Sequence, residues 1–105
     1  MRRGELWWAN LPRPIGRRPV LLLSRDEAYD IRQRVIVTPV TTRVRGLYTE
    51  VSLGIEDGLR RPSVANLDVI ITVAKSRLQE RISGLSPDRL TAVDAAIHFA
   101  LGFEE

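Results

Sequence analysis

Residues 19–24 read Pro-Val-Leu-Leu-Leu-Ser, an apolar run too short for a stable helix and lacking the alternation of a half-exposed strand. Such a run reads as a strand covered on both faces. Before it, Glu5–Asn10 (ELWWAN) is a short aromatic-rich strand, and Pro12, Pro14 and Gly16 force a tight connection between the two. After it, Val35–Thr38 continues through Pro39 into Val40. Pro39 has no N–H, so it belongs at an edge, a bulge or the end of that strand. Tyr48–Leu53 alternates large and polar residues, and Gly54, Asp57 and Gly58 follow as turn material. Val64–Val73 (VANLDVIITV) supplies the last substantial β segment, and its polar residues allow a break near Asn66–Asp68.

The chain then changes character. Ser86-Pro87-Asp88 offers an N-cap serine, a proline at the first helical position and an acid at the positive helix end. Leu90, Val93, Ile97, Ala100 and Leu101 recur at helical spacing, and Gly102 stops the element. This apolar face needs a partner, most simply the open side of a strongly curved sheet. Strands first and a helix last, without strand–helix alternation, argue against a parallel nucleotide-binding fold.

At 105 residues the chain has the size of one domain, expected to span 1–105. A hydrophobic fraction of 44% builds a core, but a small one, so association with a second copy would help to hide apolar area. There is no cysteine, which removes disulfides, thiolate catalysis and cysteine-bound zinc together. The single histidine, His98, excludes an all-histidine metal cluster within one chain. The basic start imitates a signal peptide, but Glu5, Asn10 and Pro12 interrupt any apolar segment behind it. No stretch reaches membrane-spanning length, and a soluble cytoplasmic protein is expected.

The net charge of +3 conceals an asymmetry. Residues 1–45 carry ten arginines against four acids, a net of +6, and residues 46–105 carry six basic residues against nine acids, a net of −3. Fifteen of the sixteen basic residues are arginine, the side chain suited to forked contact with phosphate or carboxylate.

The usual nucleophile–base assemblies are poorly supplied. Ser24, Ser63, Ser76 and Ser86 lack an obvious histidine partner, and His98 lies off the apolar stripe as a solvent-facing helix residue. Glu56/Asp57 and Glu104/Glu105 read as turn and tail charges rather than metal ligands, and neither a metal nor a cofactor is expected. Arginine and hydroxyl chemistry remains. Arg17–Arg18 precede Pro19 at the mouth of an apolar strand, and Thr41–Thr42 end the next long strand, followed by Arg43 and Arg45. These strand ends meet only if the sheet curls or the chain crosses between layers. Read blandly, Arg18 is a rim ion-pair partner and Thr41 an ordinary strand residue.

Several stretches together resemble the MazF/PemK toxin family. Arg3-Gly4-Glu5-Leu6-Trp7-Trp8-Ala9-Asn10-Leu11 resembles the family's opening, in which Arg-Gly-Glu/Asp leads an aromatic-rich first strand. Arg18-Pro19-Val20-Leu21-Leu22-Leu23-Ser24 is similar to its Arg-Pro-Val-Leu-Val strand, and Val35–Thr42 to the strand with a terminal threonine. Ser63-Val64 and Ile70–Leu78 (IITVAKSRL) resemble the late strand and its Thr-Val-x-Lys-x-Arg-Leu continuation. Ile82-Ser83-Gly84-Leu85 and Leu101-Gly102-Phe103 resemble the lead into the last helix and the close. The likeness runs in order along nearly the whole chain.

The resemblance implies a mostly β fold with a C-terminal helix, a small curved antiparallel SH3-like barrel shared by the CcdB/MazF-like plasmid maintenance toxins. It implies a homodimeric, growth-arresting toxin neutralised by an antitoxin with an acidic, partly disordered C-terminal segment. The implied activity is sequence-selective, metal-independent cleavage of single-stranded RNA, mostly messenger RNA. The ribose 2′-hydroxyl attacks the phosphorus and leaves 2′,3′-cyclic phosphate and 5′-hydroxyl ends. By the same resemblance Arg18 is the catalytic arginine and Thr41 the catalytic threonine. Arg17, Thr42, Arg43, Arg45, Ser63, Asn66 and Asp68 are the expected RNA contacts.

Two departures from the family pattern stand out. The connection Pro12–Arg17 is shorter and less acidic than the loop common in relatives, and Val69 and Ile71 replace polar residues of a Gln-Ile-Arg-Thr segment. Two rival readings remain: a toxin of related fold that poisons gyrase through its C-terminal helix, and a nuclease-inactive barrel that binds nucleic acid through Arg17, Arg43 and Arg45.

Overall fold

The computed structural model describes residues 1–103; Glu104 and Glu105, read above as tail charges, lie outside the described residues. β1 (Glu5–Leu11) and β2 (Gly16–Leu22) form an antiparallel hairpin in which Leu6 faces Leu21 and Leu11 faces Gly16. Arg17 and Arg18 therefore lie inside the second strand, not ahead of it, because Asn10 and Ala9 continue the pairing to meet them. A single helical turn, α1 (Ala28–Ile31), which the sequence did not announce, leads to β3 (Arg34–Thr41). β4 (Glu50–Leu53), β5 (Ser63–Asn66) and β6 (Ile71–Ala74) follow, so the segment 64–73 is indeed broken around residues 67–70. β7 (Leu78–Gly84) and α2 (Pro87–Ala100) complete the order.

β7 corrects the expectation that the last substantial strand ends near Val73. It pairs with β1 at the edge of the sheet. Only its first residue, Leu78, is buried, and an edge strand with charged side chains carries no apolar alternation to betray it.

The sheet runs β4-β5-β3-β2-β1-β7, with β6 also pairing β3. β3 is the hub. One edge pairs β2, and the other pairs β6 through Arg34–Val37 and then β5 through Val40–Thr41. Pro39 sits inside this strand, where an edge, a bulge or the strand end was expected. The Ile36 N–H donates to Ser24 Oγ and the Ile36 carbonyl accepts from Leu23, so both point toward β2. Strand alternation then turns the Pro39 nitrogen to the opposite edge, between the last β6 pair and the first β5 pair, where no ladder bond is lost. Thr38 occupies the same junction and donates from Oγ1 to the Asn66 carbonyl at 2.9 Å.

The curled sheet buries both of its faces. Leu6, Leu21, Val40, Leu53 and Leu67 meet Val93 and Ala96 of α2 on one side. Ala9, Val20, Leu22, Val37 and Tyr29 form a second cluster on the other. The apolar run 19–24 thus feeds two cores, as its lack of alternation requires. Ser86 caps α2 by accepting the Arg89 N–H. Leu101, read as part of the core stripe, is exposed because the helix ends before it.

The Arg3-Gly4-Glu5 start is a clamp. Gly4 adopts φ +88°, and a Cβ there would meet Leu90 of α2 at 2.5 Å. Arg3 pairs with Asp94 of α2 at 2.7 Å. Glu5 accepts from the Arg2 main chain, Trp7 Nε1 and Arg81 Nε. Burial raises the Glu5 carboxyl, but the bonds from Trp7, Arg81 and Arg2 outweigh it and hold the group below its ordinary value. Asp57 is also structural rather than a solvated turn charge. It is buried, accepts from the Gly54 N–H and pairs with Arg89 at 3.3 Å.

Candidate active site

Arg18 and Thr41 lie on neighbouring strands. The β2–β3 register places Leu22 opposite Val37, Leu21 opposite Thr38 and Val20 opposite Pro39. Continued two residues further it sets Arg18 opposite Thr41, where the ladder has opened. Both side chains line a recess of 250 Å³ at this splayed end. Pro39 and Val69 form apolar walls, and Arg43, Arg45, Glu50 and Asn66 supply polar ones. Arg18 is half-buried, which holds its guanidinium at a defined place on the surface.

Thr41 ends β3 with a local bond. Its Oγ1 accepts the Arg43 N–H at 3.1 Å, which curls the chain and leaves the hydroxyl hydrogen free to donate. The following loop is gathered by Glu50. Its carboxylate accepts main-chain N–H groups of Arg45 at 3.1 Å, Gly46 at 2.8 Å and Leu47 at 3.2 Å. Spent on these amides, Glu50 makes no ion pair within 4 Å with any described arginine. The side chains of Arg18, Arg43 and Arg45 likewise have neither hydrogen bond nor ion pair among the described residues. Three arginines without ion-pair partners among the described residues thus share the recess with Thr41. This arrangement can hold a phosphodiester and stabilise charge added to it.

The other expected contacts divide. Strand alternation sends Arg17 to the face opposite Arg18. Its guanidinium lies 4.2 Å from the centre of the Trp8 ring, and its Nε donates to Gln79 Oε1 at 3.2 Å. Arg17, Thr42 and Ser63 line a second recess of 400 Å³, which shares Thr41 with the first. Ser63 is buried and donates to the Arg61 carbonyl. Asn66 belongs to the first recess, where its Oδ1 accepts the Asp68 N–H. Asp68 lines neither recess and accepts from Thr49 Oγ1 at 2.8 Å.

Sequence reasoning missed Trp8, Glu50, Arg60 and Arg61. The last two line the second recess, and their signal was present: Arg60-Arg61-Pro62 repeats Arg17-Arg18-Pro19. Among the described residues no three His, Asp or Glu side chains converge as a metal site needs. No described helix is long and apolar enough to cross a membrane.

Comparison with known proteins adds an independent line. Residues 2–101 match the family described as PemK-like, MazF-like toxin of type II toxin-antitoxin system. The chain is 41% identical over 100 residues to the probable endoribonuclease MazF5 of Mycobacterium tuberculosis, covering 94% of this chain and 91% of that protein. Probable endoribonuclease MazF2 of the same species is 43% identical over 91 residues, 86% of this chain and 87% of the relative. Among solved structures, the M. tuberculosis toxin MazF-mt6 superimposes with a TM-score of 0.89 at 34% identity, covering 96% of this chain and 99% of that one. An endoribonuclease in complex with its cognate antitoxin, from a mycobacterial species, gives 0.87 at 26% identity over 100% and 98% of the two chains.

Proposed function

This chain belongs to the PemK-like, MazF-like toxins of type II toxin–antitoxin systems, and from that membership we propose that it is a sequence-selective endoribonuclease that cuts single-stranded RNA without a metal. The observation that carries the reading is the recess at the open end of β2 and β3, where Arg18, Arg43 and Arg45 flank Thr41 without anionic partners. Relatives at 41% and 43% identity are named probable endoribonucleases, which supports the same activity.

The substrate supplies the nucleophile. The ribose 2′-oxygen forms a bond to phosphorus as its proton departs. The bond from phosphorus to the 5′-oxygen breaks, and that oxygen takes up a proton. The products are a 2′,3′-cyclic phosphate and a 5′-hydroxyl. Negative charge gathers on the non-bridging oxygens at the pentacoordinate stage. Arg18 donates to them, and Thr41 Oγ1 holds the phosphate or the attacking hydroxyl in line. In this reading charge stabilisation comes from the guanidinium rather than from a metal ion. Arg17, Thr42, Arg43, Arg45, Ser63 and Asn66 guide the strand, and Asp68 acts only indirectly, through Thr49 and Asn66.

Growth arrest would be relieved by an antitoxin with an acidic, partly disordered C-terminal segment, which competes with RNA for the unpaired arginines. Two copies of the chain would form the working unit in the cytoplasm. Tyr48, Phe99, Leu101 and Phe103, all exposed, provide apolar surface for such contacts.

The decisive experiment incubates purified protein with RNA in excess chelator and maps the ends. Expected are discrete cuts whose 5′ ends accept phosphate from a kinase directly and whose 3′ ends lose phosphate to a phosphatase only after the cyclic phosphate is opened. Cutting that requires a divalent ion, or DNA breaks that require a topoisomerase, would falsify the proposal.

A further inference from the structure

β6 is bound to the sheet along one edge only, through β3. The Lys75 N–H donates to the Gln33 carbonyl at 2.7 Å, so the main chains of Lys75, Val73 and Ile71 turn toward β3. Alternation then sends the N–H and C=O groups of Thr72 and Ala74 to the other edge, where no main chain of a described residue meets them. The sheet's other outer strands are occupied. α2 packs on β4, and β7 carries Glu80 beside Arg81 and donates from Ser83 Oγ to the Asp57 carbonyl.

A recess of 450 Å³ opens beside Ala74, lined by Gln33, Arg34, Lys75 and Ser76. Every polar side chain of this wall can donate, and none is a carboxylate. Arg34 is exposed and makes no side-chain hydrogen bond or ion pair among the described residues. Lys75 gives one hydrogen to the Tyr29 carbonyl at 2.6 Å, which fixes the ammonium and leaves its other hydrogens to a ligand. Residues 31–49 and 69–79, which supply β3, β6 and their flanks, hold six basic residues and no acid.

We propose that this open edge of β6 is a docking site for an extended acidic segment of a partner protein, which adds to the sheet as a further strand. Thr72 and Ala74 supply the ladder, with donors and acceptors in a spacing that another backbone matches. The residue paired with Ala74 shares its face. Because alanine is small, a glutamate there reaches over it into the recess, to Arg34 and Lys75. A second copy of this chain is the wrong occupant, since β6 against β6 would bring Arg34 and Lys75 toward their own kind. RNA has phosphates for the cations but nothing that fits alternating main-chain donors and acceptors. The site also lies apart from the recess at Thr41, which β3 separates from Arg34 by about 23 Å at roughly 3.3 Å per residue. Partner and RNA are therefore held at once, and the inference stands independently of the nuclease reading.

The test titrates ¹⁵N-labelled protein with a decapeptide that alternates threonine and glutamate. Expected are saturable shifts of the Thr72 and Ala74 amides at millimolar peptide, and at least tenfold slower hydrogen exchange at both in the bound state. Arg34→Glu, at an exposed side chain, should weaken the peptide at least fivefold. Thr72→Pro, which removes an edge donor without costing a ladder bond, should weaken it further. The same peptide with lysine for glutamate should leave both amides unmoved. Amides indifferent to the acidic peptide, equal binding of the lysine peptide, or affinity unchanged by Arg34→Glu overturns the site. So does a deoxyuridine decamer that moves these amides where the acidic peptide does not, which would make the edge a nucleic-acid track.

Discussion

Arg18 and Thr41 face each other across the point where β2 and β3 part, two residues beyond their last paired positions, Val20 and Pro39. The paired strands fix the backbone on one side of the site, and the opened ladder leaves room for a phosphate on the other. Removing Arg18 therefore deletes a donor without disturbing a packed strand. Arg18→Ala is expected to lose about 2–4 kcal/mol of transition-state stabilisation, the scale of one oxyanion donor. Thr41→Ser should retain more activity than Thr41→Ala, because the hydroxyl is kept. Single-turnover cleavage checks both, and an alanine variant of Arg18 within tenfold of the parent would refute the assignment.

Glu50 shapes the site from behind. Its carboxylate gathers the amides of Arg45, Gly46 and Leu47, and charge-assisted bonds of this kind contribute about 1.5–3 kcal/mol each. Glu50→Gln should speed hydrogen exchange at these amides at least tenfold, a factor worth about 1.4 kcal/mol. RNA affinity should weaken as Arg43 and Arg45 lose their fixed placement, with global unfolding shifted little. Unchanged protection at residues 45–47 would show that the loop is held by something else.

Tyr29 gives the fold an alkaline limit. Its ring is buried in the second core, its hydroxyl has no hydrogen-bond partner among the described residues, and burial pushes its pKa up to about 12. In the unfolded chain tyrosine ionises near pH 10, so between about pH 10 and 12 the unfolded state binds fewer protons and stability falls as pH rises. The loss is on the order of 2 kcal/mol across that window. Tyr29→Phe should remove this slope and be neutral or slightly stabilising at pH 7, since an unmet hydroxyl leaves the core. Denaturant midpoints of parent and variant at pH 7, 10 and 11.5 provide the measurement.

Gly4 is tied to its position by conformation and by space. Gly4→Ala places a Cβ at φ +88° and 2.5 Å from Leu90 Cδ2. The left-handed backbone costs about 1–2 kcal/mol, and moving the leucine tip adds to it. Thermal unfolding should drop by several degrees, with cleavage retained at low temperature. An unaltered midpoint would mean that the Arg3–Asp94 pair, not the glycine, sets the N-terminal clamp.

How far the sequence revealed these features depended on whether a residue's role is local. The run 19–24 announced a doubly covered strand because alternation is missing wherever two cores flank one strand. Ser86-Pro87 announced α2 because capping is a short-range contact. β7 stayed hidden because an edge strand needs hydrogen bonds but few apolar residues, and Leu78 alone gives no period. Asp57 looked like a turn charge, since its partner, Arg89, is set by how the chain folds back. The repeated Arg-Arg-Pro of residues 60–62 was visible but masked by the acids that make the second half net negative. Arg17 and Arg18 are neighbours in sequence, yet strand alternation divides them between two faces.

β3 draws its neighbours from residues 16–22, 63–66 and 71–74, and β1 is closed only by residues 78–84. Hardly any of this pairing is local, so assembly waits on distant segments and proceeds slowly for a chain of this size. During synthesis the order of emergence therefore matters. Arg18 and Thr41 leave the ribosome first, but the walls supplied by Arg60, Arg61, Asn66 and Val69 arrive later, and Val93 and Ala96 seal the core later still. A partly made chain carries Arg18 and Thr41 without the walls that complete their recess. The proposed cutting of RNA is therefore expected only once nearly the whole polypeptide is free of the ribosome that made it.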